Sequence, residues 1–210
     1  MNNLKVFHVD GLWYHGRIYE FELKAKLGTP YFLDFKTMPG SLTYNKKLHT
    51  DLTLSYNLIM DELILWGTGS GGKSPPIVLN KYSVEKFTLK KDGRNYHFRL
   101  NTEMKPIHDH LKEGFYEVIY DDKLSMFIKH KMKLSTDPGN LDKFYESEKQ
   151  IYLILEGNIF VINNRGDYIS AFQDHEKSLR KYMRQRSINF DRSDTQVLIE
   201  LCNYSKTFLN

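Results

Sequence analysis

The sequence predicts an α+β fold that is mainly β: a curled antiparallel meander sheet, barrel-like or sandwich-like, with two to three helices at the C-terminus. From Leu12 to about Ile162 the chain is a succession of short β-prone runs separated by polar or glycine turns. Aromatic residues make up 14% of it, with 14 Tyr and 13 Phe, and such side chains suit pleated, half-buried surfaces. After residue 163 the pattern changes to helical periodicity. A length of 210 residues buries one substantial core, so the expectation is a single domain over 1–210, with a β region at 1–163 and a helical segment at 164–210.

The clearest strand candidates are Ser41 to Tyr44, Leu52 to Leu58, Glu62 to Trp66, Ile77 to Leu79 and Val84 to Leu89. They continue with Tyr96 to Leu100, Phe115 to Tyr120, Leu124 to Lys131, Gln150 to Leu155 and Asn158 to Ile162. Asp92-Gly93 and Glu156-Gly157 tolerate positive φ, and Asp121-Asp122 can bond back to the backbone, so these pairs predict hairpins. Leu52 to Leu58 alternates apolar and polar residues, as in a strand with one wet face. Ile151 to Leu155 is apolar throughout, which predicts a central strand covered on both faces, the helices supplying part of the cover.

In the C-terminal segment a short helix is expected at Tyr168 to Phe172, and a second, capped by Asp174, running to about Gln185. On the second, Leu179, Tyr182 and Met183 share one face and Lys177, Arg180, Lys181 and Arg184 the other. Ser193 and Gln196 read as the capping box of a third helix, with Val197, Leu198, Leu201 and Cys202 as its apolar stripe.

A net charge of +4, from 30 basic and 26 acidic residues, falls short of the density that makes nucleic acid a default partner. The lone cysteine, Cys202, excludes an intrachain disulfide and a cysteine-based zinc cluster. No run of 18 apolar residues occurs, so membrane contact is expected to be peripheral at most. Met1 to Asp10 lacks the apolar core of a signal peptide, which implies a cytoplasmic protein or a mature form whose leader has been removed.

Gly67 to Ser74 matches the phosphate-binding string G-x-x-x-x-G-K-[ST] at every specified position. That chemistry needs Lys73 and Ser74 in the first turn of a helix, whose free N–H groups hold the phosphates. Pro75 and Pro76 bar helical conformation there, and Ile77 to Leu79 resumes as a strand, so the string predicts a hairpin loop and no nucleotide. Gly69 to Gly72 also echoes a serine-protease nucleophile segment, but His49 and Asp51 are two residues apart, which does not suit the triad.

His108 and His110 could share a zinc ion with His130, against the alternative of a polar loop after Pro106; no metal or other cofactor is expected. Asp61-Glu62 and Asp121-Asp122 are adjacent carboxylates, which would face opposite sides of a strand and are read as turn residues. Trp13, Tyr14 and Tyr31 could stack on sugars but suit core or cross-strand roles better. The candidate ligand residues are the basic set Lys177, Arg180, Lys181 and Arg184, which could meet phosphate on nucleic acid or lipid headgroups; otherwise the set is a solvated helix face.

Several short motifs occur in a characteristic order: Tyr14 to Tyr19, Gly28 to Leu33, Gly40 to Tyr44, Leu54 to Asn57 with Asp61 to Ile64, Phe115 to Tyr120, and Leu201 to Tyr204. In that order the chain resembles a family of uncharacterised exported proteins common in Bacteroidota. The resemblance implies a periplasmic or outer-membrane-associated location, a partner among other envelope proteins and no assigned chemistry, and it makes Gly67 to Ser74 a variable loop. The functional expectation is a non-catalytic binding or structural protein of the cell envelope. The alternatives are a hydrolase-type enzyme assembled from distant strands, around groups such as Asp61, His108 or His110, and anionic-ligand binding through the basic helix face.

Overall fold

Turn chemistry sets the strand pairing. Asp92 and Gly93 have φ of 49° and 74°, and Glu156 and Gly157 have φ of 50° and 77°, so both pairs form two-residue turns whose twist matches the flanking strands. Asn45 and Lys46 do the same at 47° and 65°, without the glycine that would announce such a turn.

The computed structural model describes residues 5–9, 12–20, 25–67, 75–101, 113–192 and 194–209. Twelve strands form one antiparallel sheet that does not close on itself. They are β1 (Lys5–Val9), β2 (Leu12–Ile18), β3 (Met38–Tyr44), β4 (Lys47–Asn57), β5 (Glu62–Trp66), β6 (Ile77–Leu79), β7 (Val84–Lys91), β8 (Arg94–Asn101), β9 (Gly114–Asp121), β10 (Leu124–Thr136), β11 (Lys143–Leu155) and β12 (Asn158–Ile162). Three helices come after them: α1 (Arg165–Ser170), α2 (Glu176–Gln185) and α3 (Thr195–Ser205). The mainly β class predicted from the sequence therefore holds. None of the helices, among the described residues, is long and apolar enough to cross a membrane.

The sheet order is β1-β2-β6-β5-β4-β3-β7-β8-β9-β10-β11-β12, so the meander is broken where β2 meets β6 and β3 meets β7. Only residues 80–83 join β6 to β7, although β5, β4 and β3 lie between them. Four strand spacings span about 19 Å in a flat sheet. Five extended residue steps reach about 17 Å at most, and a 3-10 turn at Lys81–Ser83 shortens them further. This part of the sheet must therefore roll up. The Tyr44 hydroxyl accepts from the His15 amide at 2.8 Å and donates to its carbonyl at 3.1 Å, tying β3 back onto β2. Gly16 and Gly40 permit close packing of neighbouring backbones, since a Cβ would run into the carbonyls of Val78 and Thr88 respectively.

The chain divides into two compact units, residues 1–115 with 130–148, and residues 116–129 with 149–210. The first is filled with rings: Phe87 and Phe98 stack at 4.7 Å, Tyr56 meets both edge-on, and Phe115 and Phe32 close the cluster. Part of the aromatic excess in the sequence is this core. In the second unit alternate residues of β10 (Leu124, Met126, Ile128) and β11 (Ile151, Leu153, Leu155) join one apolar cluster with residues of all three helices. Tyr152, between them in sequence, packs against Tyr116 at 5.9 Å, so this strand is buried on both faces as its composition predicts.

Two caps differ from expectation. The second helix begins at Glu176 with His175 at its N-cap, because Gln173–His175 forms a separate 3-10 turn that takes Asp174 out of the capping position. The third is capped by Asp194, whose carboxylate accepts from the amides of Gln196 (2.9 Å) and Val197 (3.3 Å). A carboxylate there satisfies two orphan donors and meets the positive end of the helix dipole. Ser193 lies outside the described residues. The first helix starts at Arg165, three residues earlier than expected, because the Asn164 side chain accepts from the amide of Asp167.

Candidate functional site

Three turns of the second unit surround a groove of about 290 Å³. One is the β11–β12 turn at Glu156-Gly157. Another is the 3-10 turn Gln173–His175 that separates α1 from α2, and the third is the C-terminal 3-10 turn Lys206–Phe208. The floor is apolar and buried, made by Leu155, Ala171 and Phe172. Glu156, Asn158, Gln173 and Asp174 form an exposed polar rim.

The walls are held by ring contacts. His175 lies flat against Phe208 with centroids 4.3 Å apart and planes 5° from parallel, and Phe172 meets Phe208 at 6.3 Å and 66°. Tyr204 supports Phe208 edge-on at 5.1 Å and itself stacks on Tyr182 at 3.7 Å. The Tyr182 hydroxyl donates to Glu200 at 3.0 Å. Phe208 is thus fixed from three sides, and a wall held in this way spares a ligand the ordering cost that a mobile loop would impose.

Lys177, Arg180, Lys181 and Arg184 are exposed, and Leu179 and Met183 are buried on the opposite side of α2. Arg180 reaches Glu176 at 3.3 Å, an i,i+4 pair. His130 is a ring packed on Phe32 at 4.9 Å and Phe98 at 6.2 Å, while His108 and His110 lie outside the described residues. Among the described residues no group of three or more His, Cys, Asp or Glu could hold a metal ion.

Asp61 and Glu62 have separate partners, as adjacent residues at a strand start should. Asp61 accepts from Tyr56 Oη at 2.5 Å and Lys81 Nζ at 2.9 Å, while Glu62 takes two bonds of 2.8 Å from Arg17. Asp121 accepts from Ser125 and Asp122 pairs with Lys206, both at the β9–β10 turn. His49 is joined to Tyr14 Oη at 3.1 Å, and burial with Lys47 nearby moves its pKa down. Asp51 sits at φ 57° and accepts from Thr50.

Tyr14 and Tyr31 are buried, 0% and 3% exposed, which removes both as sugar-stacking surfaces. The Trp13 side chain lies outside what is described. Tyr31 shares a hydrogen bond with Tyr19, and its hydroxyl is pushed well above the usual phenol range by burial. Cys202 is buried against Met126, and desolvation pushes its thiol up to about 12.

Residues 68–74, most of the phosphate-binding string, lie outside the described residues. Their flanks decide the context: β5 and β6 pair antiparallel, with Ile64 opposite Val78 and Leu65 opposite Ile77. That is strand, connection and strand, where a phosphate-binding loop requires strand, loop and helix.

The fold and the groove together define a β-rich α+β protein whose C-terminal helices form a small, preshaped cleft. Comparison with protein-family models, with curated proteins and with solved structures finds no match. Sequence reasoning missed the groove. Glu156-Gly157 was visible as a turn, but nothing in the spacing of 156, 173 and 208 shows that these turns meet.

Proposed function

We propose that the protein is a non-catalytic binding module whose ligand site is the groove framed by Glu156, Asp174, His175 and Phe208. The observation that carries this is the fixed Phe208–His175 stack beside the buried floor of Leu155, Ala171 and Phe172. The accessible lining is more polar than that of a typical small-molecule site, with the apolar side chains of Leu155, Ala171 and Phe172 beneath it. A volume of about 290 Å³ lies at the small end of such sites, so the ligand is small or only one moiety of it enters.

A panel of aromatic fragments, followed by ¹H–¹⁵N NMR, tests the reading. Saturable shifts should gather at residues 156–160, 171–175 and 206–209, and should vanish in Phe208→Ala if that variant keeps its dispersed spectrum. Shifts clustered elsewhere, or none, would remove the groove as the site.

The cell envelope is proposed as the place where this binding occurs. The support is the ordered motifs from Tyr14-His15-Gly16 to Leu201-Cys202-Asn203. Fractionation of the native cell is the check: recovery of all the protein with the cytoplasm would reject the location and leave the groove untouched.

A further inference from the structure

Resting on the groove as a ligand site, we propose that its ligand is a small organic cation: an ammonium group carried on an apolar body of single-ring size. The size follows from the volume, since about 290 Å³ lies at the lower end of small-molecule sites.

The charge follows from the lining. The protein carries a net +4, yet the described groove residues include two carboxylates, Glu156 and Asp174, and neither Lys nor Arg. Phe160, Phe172 and Phe208 contribute to the lining, Phe172 from the floor and Phe208 with one face against His175, and aromatic rings attract a cation. An aromatic cleft with acidic residues at the mouth selects an ammonium with an apolar tail over a neutral or anionic molecule of the same shape.

One opposing group lies in the groove itself, the His175 imidazole stacked on Phe208, and the others are weaker or already engaged. The start of α2 brings about half a positive charge, which Glu176 in its first turn offsets. Lys206, the first residue of the third turn, pairs with Asp122 at 3.2 Å. Lys123 donates to the Leu209 carbonyl at 2.8 Å and is the cation whose removal should strengthen cation binding. Two full carboxylate charges at the rim outweigh these.

Three probes of nearly equal size separate the possibilities: 2-phenylethylammonium, 2-phenylethanol and phenylacetate, each titrated into the full chain by ¹H–¹⁵N NMR. The ammonium should bind about ten-fold more tightly than the alcohol, and phenylacetate most weakly. Glu156→Gln with Asp174→Asn should abolish that preference, whereas Lys123→Gln should enlarge it. If the alcohol binds as tightly as the ammonium, or phenylacetate binds best, the cationic class is wrong and the groove survives as a site. If none of the three moves the groove resonances, both the class and the site are rejected.

Discussion

Residues 1–115 with 130–148 bury a cluster of large rings, with Phe35 and Tyr82 exposed outside it, and the hydroxyls of that interior are answered by the protein itself. Tyr56 donates to Asp61, Tyr44 to His15, and Tyr14 is joined to His49. Residues 116–129 with 149–210 are built differently. Their interior is largely aliphatic, and Phe160, Tyr204 and Phe208 remain partly exposed at its margin. The difference follows from how each surface is covered. A sheet that rolls over itself encloses a wide interior, which flat rings fill edge to face. Helices laid on strands are held by interdigitating aliphatic side chains, and rings at the ends of those helices stay reachable. Phe160 and Phe208, partly exposed on the helical side, line the proposed groove, whereas the ring cluster of the other unit is enclosed.

The comparison can be broken most forcefully at Phe98. Phe98→Ala leaves a cavity against Phe87, Tyr56 and Phe32 and should cost about 3–5 kcal/mol in chemical denaturation. A loss below about 1 kcal/mol would mean that the rings do not act as one core.

Asp61→Asn should cost about 2 kcal/mol, since it removes the charge that Tyr56 and Lys81 both address. An unchanged midpoint would make Asp61 a turn residue and nothing more.

The buried Cys202 thiol sharpens the contrast from the helical side. Its folded pKa is raised by desolvation, from 9.0 to about 12, so the folded state holds the proton more tightly than the unfolded one. Its contribution is complete below about pH 9 and is lost as pH rises toward 12, at a limiting slope of about 1.4 kcal/mol per pH unit. Denaturation of wild type and Cys202→Ala at pH 8 and pH 10 checks this. A wild-type stability that falls no faster than that of the variant would show the thiol to be solvated.

Asp194→Ala should lower stability by about 1 kcal/mol through the lost cap of α3. Ser193→Ala serves as the control and should have no comparable effect on the midpoint.

The smallest effect is expected at Lys181→Gln with Arg184→Gln, below about 0.5 kcal/mol because both side chains are exposed. The same double variant tests phosphate recognition by the basic face. Retention on anionic vesicles at low salt, lost in the variant, would revive that reading against the groove.

Several features were legible in the sequence because they depend on neighbouring residues. The turns at 92–93 and 156–157 come from glycine next to an acidic residue. Pro75 and Pro76 bar a helix directly after the phosphate-binding string, whereas the wet face that the alternation of Leu52 to Leu58 predicts is not found, since Ser55 and Asn57 are buried with Leu54, Tyr56 and Leu58. The amphipathic face of α2 was equally visible, since four charged residues at helical spacing exclude that side from the core.

Caps were less legible, because Asp174 and Asp194 are chemically equal candidates and the backbone uses only the second. The β3–β4 turn at Asn45-Lys46 was hidden for a similar reason, as nothing local requires a lysine at φ 65°. Its conformation is imposed by the strands it joins.

By itself the sequence determined the class of fold and the strands and helices near their observed places. These rest on backbone sterics and on the period of apolar residues, which act over a few positions. Only the tertiary structure decided that β6 and β7 are neighbours of β2 and β3, that Tyr14 and Tyr31 are interior, and that residues 156, 173–175 and 208 enclose one groove. Those outcomes depend on contacts between segments tens of residues apart, set by how the rolled strands of one unit and the helix-covered strands of the other each bury the most apolar surface.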